Sequence, residues 1–257
     1  KYFLLIHLSI NSGSIEHKTF MNINKMLIKP YVSINQPITL LSDDNDVEFP
    51  KTNIQYFGQQ IHYVDSNFNE FEKRSEPIEL MPDMGSLTLS SLNFSTQASV
   101  NAPDMIVRLA EKMNEYGVHP ELEIFDLGMI HYGMYLIQKK ILQPPYYFNI
   151  IFGNIAGMQT NFNAMGASLN ELPENAYWAF GGIGGQQLQA NAAAIAMGGG
   201  VRVGLEDNLY YDRNKSLLTT NIALIRRIKE LADIFERKIM TPTHFGNLGF
   251  YNSKRVR

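Results

Sequence analysis

The chain has 257 residues, 45% of them hydrophobic, a formal net charge of −3 and no cysteine. This length suits one large domain or two small ones, while the near-neutral charge without a basic stripe argues against a nucleic-acid partner. No apolar run is long enough to cross a membrane, and the absence of cysteine rules out disulfides and thiolate metal sites, so we expect a cytoplasmic location.

The first third of the chain predicts two strands followed by an irregular segment. Residues 2–8 and 37–41 have the composition of short buried strands. Residues 46–77 are polar and aromatic without a clean period, and we interpret them as an insertion that forms a lid or an oligomer contact. Because Lys1 opens directly into a strand-like run, we also expect that one strand–helix unit precedes it in the natural chain.

From residue 84 onward, strands and helices alternate. The strands are predicted at residues 84–94, 120–125, 146–152, 176–180 and 201–205. The helices are predicted at residues 101–116, 128–140, 161–169, 186–197 and 219–237, the first with Asn101 as its N-cap and Pro103 in its first turn. Strict alternation implies a parallel sheet, and seven strands over this length favour a single (β/α)8 TIM barrel whose first unit lies before Lys1.

The run from Gly198 to Asn208 carries the most informative charges. Arg202 lies inside an apolar strand, where an unpaired charge would be costly. Side chains alternate along a strand, so Arg202 and Glu206 share a face and Asp207 follows at the turn. The run fits either a metal ligand beside a general base, or a structural Arg–Glu pair followed by an Asp–Asn turn. The barrel prediction favours the former, because barrel active sites lie at the C-terminal strand ends.

Further polar residues follow the same strand ends: His7, Ser9, Ser42, Asn93, Asp126 and Asn154. His7 is a candidate metal ligand beside Glu206, since zinc commonly takes histidine and carboxylate ligands. Glu121 and Glu123 share one face of a strand in a buried context, and Arg202 is their candidate partner. The glycines at residues 181–185 fit equally well an anion-binding turn or tight packing between strand and helix.

Several motifs resemble the β-keto acid cleavage enzymes, a family that includes an enzyme of lysine fermentation. They are Asn101-Ala-Pro-Asp, the run Pro120–Met129, Gly181-Gly-Ile-Gly with Gln187, the run Ser86–Phe94, and above all Gly199–Asn208 with its Gly-Leu-Glu-Asp-Asn ending. The resemblance is close over residues 80–250 and loose over residues 2–45.

The resemblance implies a (β/α)8 barrel with a divalent metal, usually zinc, in a homo-oligomer. The family condenses a β-keto acid with acetyl-CoA and releases acetoacetate and a new acyl-CoA. Carried over by motif, the metal ligands are His7 and Glu206. The catalytic group is Asp207 as base, oriented by Arg202 and by a strand glutamate, Glu123 in preference to Glu121. We expect Ser42, Thr88 and Asn154 to contact substrate.

Two motifs depart from the family pattern. The metal strand His-Leu-His-Ala-Arg is His7-Leu-Ser-Ile-Asn11 here, and the substrate loop Ser/Thr-Thr-Gly-Gly is Ser42-Asp-Asp-Asn45. A serine is a poor zinc ligand, so metal affinity should fall unless Asp43 or Asp44 replaces the missing histidine. One hypothesis is an acyltransferase with an altered metal or substrate. The other is a catalytically weakened homologue that serves as a binding or structural subunit.

Overall fold

The computed structural model describes residues 3–4, 6–9 and 71–255, and it describes side chains only from residue 71 onward. The predicted strand at residues 37–41 and the candidate substrate contact Ser42 lie outside these residues. Of the proposed insertion at residues 46–77, only residues 71–77 are described, and they are helical. The insertion and the single-domain organisation therefore stay predictions.

The strands are, in chain order, β1 (Phe3–Leu4), β2 (Ile6–Ser9), β3 (Met84–Thr88), β4 (Leu92–Asn93), β5 (Ala98–Ser99), β6 (His119–Ile124), β7 (Tyr147–Phe152), β8 (Tyr177–Gly182), β9 (Gly200–Gly204) and β10 (Lys238–Ile239). Six of them form one parallel sheet in the order β2-β9-β8-β7-β6-β3. Each strand from β6 to β9 lies beside the next in sequence, which is the winding of a barrel, and the predicted α/β fold class is confirmed. Within the described residues the sheet is open, with β2 and β3 at its edges.

The helices are α1 (Phe71–Ser75), α2 (Pro103–Tyr116), α3 (Leu127–Gln138), α4 (Phe162–Asn170), α5 (Gln187–Met197), α6 (Asn221–Ile234) and α7 (Pro242–Phe245). Four of them begin at a side-chain cap, since Asp126, Asn161, Thr220 and Thr241 each accept a hydrogen bond from a backbone N–H of the first turn. Helices in residues 71–255 fall short of the length and apolar character that a membrane crossing needs.

Two predicted boundaries are wrong. β3 ends at Thr88 instead of Phe94, because the chain turns after Leu89 and β4 pairs antiparallel with β5. Asn101 is not the N-cap of α2, a position that Ala102 occupies. The Asn101 side chain instead accepts a hydrogen bond from Arg74 Nη2 at 2.5 Å and donates one to the Ser90 carbonyl at 3.0 Å. Partners distant in sequence therefore outcompete the local cap.

Aromatic side chains close the sheet interior at the N-terminal ends of the strands. Phe245 and Phe250 stack with ring centroids 4.6 Å apart, and the Phe250 ring meets Tyr147 and Tyr177 edge-on. Such edge-to-face contacts add to the stabilisation that burial of the rings supplies. The interior is therefore apolar at this end, and its charged residues lie toward the opposite end.

Residues 252–255 are fastened to the chain just before β3. The Asp83 carboxylate, 1% exposed, accepts hydrogen bonds from Arg255 Nη2 at 2.9 and 3.0 Å and from the Asn252 backbone N–H at 2.9 Å. The Asn252 amide also donates to the carbonyls of Pro82 and Tyr116, each at 3.0 Å. These bonds satisfy buried polar groups at the start of β3.

Gly199, between α5 and β9, is in a position that excludes any side chain. A Cβ atom there would lie 2.1 Å from the Trp178 ring. We expect Gly199→Ala to lower the free energy of unfolding by about 1–3 kcal/mol, because the ring must leave its packed position. In the matched control Gly166→Ala, the new methyl meets nothing within 4 Å inside helix α4, and stability should rise by about 0.5–1 kcal/mol. Denaturant titration of both variants measures the difference, and equal effects would contradict the packing argument.

Candidate active site

Arg202 on β9 is the centre of a buried charge cluster. Its side chain is 6% exposed. Nε and Nη2 donate to the two Asp207 oxygens at 2.9 and 3.2 Å, and Nη1 donates to Glu123 Oε1 at 3.0 Å. Glu206 Oε2 lies 3.2 Å from Nη2. The guanidinium therefore points inward onto carboxylates, as the cost of an unpaired buried charge requires, and the two-point bond fixes the plane of the Asp207 carboxylate.

The cluster continues through Glu123 to the edge strand β3. Thr88 Oγ1 donates to Glu123 Oε2 at 2.8 Å, and the two residues are register partners on β3 and β6. The chain Thr88–Glu123–Arg202–Asp207 thus connects three strands across the interior of the sheet. Both carboxylates that Arg202 binds most closely are buried, so their orientation is set by protein groups rather than by solvent.

The glycines after Phe180 make room for this cluster. A Cβ at Gly181 would lie 3.1 Å from both Cβ and Cδ of Arg202, and one at Gly182 would lie 2.7 Å from the Gln186 backbone. The Gly184 N–H donates to the Asp207 carbonyl at 2.6 Å. Tight packing therefore accounts for Gly181 and Gly182, and the Gly184 N–H that an anion-binding turn would use already has a protein acceptor.

Two amide side chains of α5 hold the C-terminal half of β9. The described pairing of β8 with β9 comprises two residue pairs, the second of which is Phe180 with Val201. Beyond it, Asn191 Nδ2 donates to the carbonyls of Phe180 and Arg202 at 2.9 and 2.8 Å, and Gln187 Nε2 donates to the Gly204 carbonyl at 3.0 Å. These bonds satisfy backbone carbonyl groups of β8 and β9 beyond the last described residue pair of the two strands, at the position of Arg202.

Electrostatics keep Arg202 charged and make Glu206 a weak acid. Burial disfavours the charged guanidinium, but Asp207, Glu206 and Glu123 outweigh it and hold the pKa of Arg202 well above its usual range. Burial raises the pKa of Glu206 to about 7, with Arg202 opposing the shift and Asp207 and Glu123 adding to it. The cluster therefore combines a permanent cation with one carboxyl group, that of Glu206, whose pKa is raised.

Two other predicted residues lie at strand ends but have structural partners. Asn154 is buried, and its Nδ2 donates to the Asn93 carbonyl at 3.0 Å, which ties the turn after β7 to the β4–β5 hairpin. Asp126 caps α3 by accepting from the Met129 N–H at 3.0 Å. Thr88 is in the cluster, whereas the described contacts of Asn154 and Asp126 are outside it.

The proposed metal ligands are only partly described. In the parallel pairing of β2 with β9, His7 is in register with Arg202 and Ser9 with Gly204, so the β2 backbone runs beside the cluster. The side chains of His7 and Ser9 lie outside the described part. Among the described residues there is no group of three or more histidine, aspartate or glutamate side chains that could hold a metal ion. Glu206, whose side chain is 32% exposed, has a more open carboxylate than Asp207 or Glu123, and a carboxylate beside a strand histidine fits the donor set of zinc.

Sequence reasoning missed the polar layer under the cluster. Asn149 Nδ2 donates to Glu121 Oε1 at 2.5 Å, and Ser86 Oγ donates to Glu121 Oε2 at 3.2 Å. The signal for Asn149 was present, since an amide in the middle of the run Tyr-Phe-Asn-Ile-Ile-Phe needs a buried partner. Ser86 carried no such signal, because serine is unremarkable in a strand.

Solved structures support the fold. The apo structure of ObcA matches with a TM-score of 0.52 over 66% of this chain and 44% of that chain, at 16% sequence identity. At this identity the likeness concerns the fold alone.

Curated relatives match about two thirds of the chain. The 3-keto-5-aminohexanoate cleavage enzyme of Fusobacterium nucleatum subsp. nucleatum is 36% identical over 66% of this chain and 62% of its own length. The 3-dehydrocarnitine:acetyl-CoA trimethylamine transferase of Rhizobium meliloti is 33% identical over 66% and 57%, and the 3-oxoadipate:acetyl-CoA acetyltransferase of Cupriavidus necator is 31% identical over 66% and 60%. The match thus spans less than two thirds of each relative. The beta-keto acid cleavage enzyme family model matches residues 56–247, which is most of the chain, and the protein belongs to that family.

Proposed function

We propose that the protein is an acyltransferase that cleaves a β-keto acid at the expense of acetyl-CoA, releasing acetoacetate and a new acyl-CoA. The observation that carries the proposal is the Asp207 carboxylate, held at both oxygens by the buried Arg202 guanidinium at the C-terminal end of β9. The names of the relatives, which include keto acids and acetyl-CoA, support the same substrate classes.

In the proposed reaction Asp207 is the general base. The most acidic C–H bond of a β-keto acid is on the carbon between its two carbonyl groups, and a carboxylate of fixed orientation can remove that proton. Arg202 keeps Asp207 in place, and Glu123 with Thr88 keeps Arg202 in place. Pre-orientation of the base lowers the barrier because it need not reorganise when the proton moves.

We propose that His7 and Glu206 hold a divalent ion, zinc in the first instance, and that Ser42, Thr88 and Asn154 contact the substrate. A bound ion would supply Lewis acidity to the ketone oxygen. Glu206 suits this role because its carboxylate is more open than that of Asp207 or Glu123. Because the resemblance to the family also implies a homo-oligomer, we propose that assembly for this protein.

Metal content tests this site. We expect about one zinc per chain in the purified protein, and at least a tenfold lower content in His7→Ala and in Glu206→Ala, since each removes one ligand. Glu230→Ala, which removes an exposed glutamate from α6, should retain the metal. Elemental analysis after dialysis against zinc measures all four proteins.

Turnover is assayed in parallel with the keto acids named for the relatives, 3-keto-5-aminohexanoate, 3-dehydrocarnitine and 3-oxoadipate. Release of acetoacetate that requires acetyl-CoA would support the proposal. A folded protein that binds no zinc and turns over none of them would favour the weakened homologue, a reading to which Ser9 in place of a histidine already points.

A further inference from the structure

Glu121 is the most deeply buried carboxyl group of the described interior, and the proposed mechanism does not use it. Its side chain is 0% exposed. Asn149 Nδ2 donates to Oε1 at 2.5 Å and Ser86 Oγ lies 3.2 Å from Oε2, so residues of β7 and β3 fix both oxygens. A carboxyl group in such a place needs a reason, because burying a charge is expensive.

Glu121 is a more distant ionic partner of Arg202 than Glu123 is. Glu121 and Glu123 project from the same face of β6, two residues apart. Arg202 Nη1 is 3.9 Å from Glu121 Oε1 and 3.0 Å from Glu123 Oε1. The same Nη1 group is therefore within reach of two carboxyl groups and forms its hydrogen bond with one of them.

The surroundings of Glu121 favour its uncharged form. Burial, and next the negative charge of Glu123, raise the pKa of Glu121 to about 8, although Arg202, Asn149 and Ser86 oppose the shift. Among the residues that the structure describes with side chains, the groups that face it are Glu123 on β6, Arg202 on β9, Tyr147 and Asn149 on β7, and Ser86 on β3. Burial and Glu121 together raise the pKa of Tyr147 well above its usual range, so this phenol stays neutral.

We propose that Glu121 is a positioning residue that acts as a neutral carboxylic acid. Held by Ser86 and Asn149, the neutral carboxyl group packs beside the Arg202 guanidinium without competing for Nη1. Arg202 therefore keeps its hydrogen bonds to Glu123 and Asp207. Ionised Glu121 would attract Nη1 and weaken its hydrogen bond to Glu123, which keeps Arg202 in place on Asp207. The catalytic part of this inference rests on the proposed function, whereas the protonation state of Glu121 does not.

Three variants separate a neutral role from a charged one. In Glu121→Gln, the amide oxygen can accept from Asn149. The amide NH2 can donate to Ser86, whose hydroxyl rotates to accept, as it would from the O–H of a neutral Glu121. Glu121→Leu has a similar volume but leaves the Asn149 and Ser86 groups without these partners. Glu230→Gln makes the same chemical change at an exposed site of α6 and serves as the control.

Stability against pH tests the protonation state without any assay of activity. The folded-state pKa of about 8 lies above that of an unfolded glutamate, so the folded protein retains a proton that the unfolded chain releases. The contribution of Glu121 to stability is then complete below about pH 4 and falls as the pH rises toward 8. Relative to Glu121→Gln, the unfolding constant of the unaltered protein should rise by up to about tenfold per pH unit between pH 5 and 8. If the free energies of unfolding of the unaltered protein and of Glu121→Gln changed in parallel between pH 5 and 8, the proposal would be overturned.

Turnover tests the positioning part. At pH 7, kcat of Glu121→Gln should stay within about threefold of the unaltered protein, while Glu121→Leu should lose at least about tenfold with little change in KM. Above about pH 8 the unaltered protein should lose activity as Glu121 ionises, and Glu121→Gln should not. Equal losses in the Gln and Leu variants would show that the charge of Glu121 is needed and would overturn the proposal.

A direct titration covers the case in which Glu121→Gln does not fold. The carboxyl carbon of Glu121 in isotope-labelled protein should titrate near pH 8, assigned by its loss in Glu121→Leu. A midpoint below about pH 6 would overturn the proposal. Absence of turnover in the unaltered protein, together with a midpoint near pH 8, would overturn the proposed function and leave the neutral state of Glu121 supported.

Discussion

Replacing Arg202 by methionine is expected to lower the free energy of unfolding by about 3–5 kcal/mol at pH 7. Methionine fills part of the space of the arginine stem but supplies none of the N–H groups that bond Asp207 and Glu123. Both carboxylates then lose the guanidinium that compensates for their burial. Removing only the arginine leaves two buried negative charges without a cation, which costs far more stability than replacing the whole cluster by apolar residues. Urea or guanidinium titration followed by circular dichroism measures the change.

Lys229→Met is the matched control for Arg202→Met. Lys229 pairs with Asp233 at 2.6 Å on the surface of α6, where the two side chains are 45% and 61% exposed. Exposed pairs four residues apart on a helix contribute only about 0.3–0.5 kcal/mol. If the two variants were destabilised equally, the buried cluster would have no special role in folding.

Asp207→Asn is expected to lower kcat by about 10²–10⁴-fold, the usual contribution of a general base. The side chain keeps its shape, but an amide cannot take the proton from the keto acid, and its NH2 group faces Arg202 instead of accepting from it. Steady-state release of acetoacetate with the best keto acid measures the loss, with acetyl-CoA binding followed separately by calorimetry.

The control for Asp207→Asn is Asp104→Asn, which makes the same change at an exposed position in the first turn of α2. Its kcat should equal that of the unaltered protein. Retention of more than about a tenth of the activity by Asp207→Asn would mean that another group removes the proton.

The centre of the site was predictable because a charged residue inside an apolar run is easily recognised in a sequence. An arginine inside Gly-Val-Arg-Val-Gly must have carboxylate partners. They are Glu123, which strand alternation places on one face of β6, and Asp207, which lies in the turn after β9. The strands β7 and β8 were predictable for a related reason, since largely apolar runs between turn residues are typical of strands buried on both faces.

The parts that were not predictable depend on partners distant in the chain. Leu87, Leu89 and Leu92 continue an apolar pattern through the true end of β3, and only the antiparallel pairing of β4 with β5 shows where the strand stops. Likewise Asn101 is held by Arg74, 27 residues earlier, and this bond has no local signature. The position of the His7 and Ser9 side chains relative to Glu206 lies outside the described residues, and the metal site stays a prediction.

The bonds from Asn252 and Arg255 to Asp83 also bear on how the chain folds as it is synthesised. They join groups separated by 169 and 172 residues, so the start of β3 lacks these partners until nearly all of the described chain has left the ribosome. Contacts between such distant residues slow folding, because the intervening loop must close before they stabilise anything. We therefore expect the start of β3 to be more open to contacts with other chains until residues 252–255 have been synthesised.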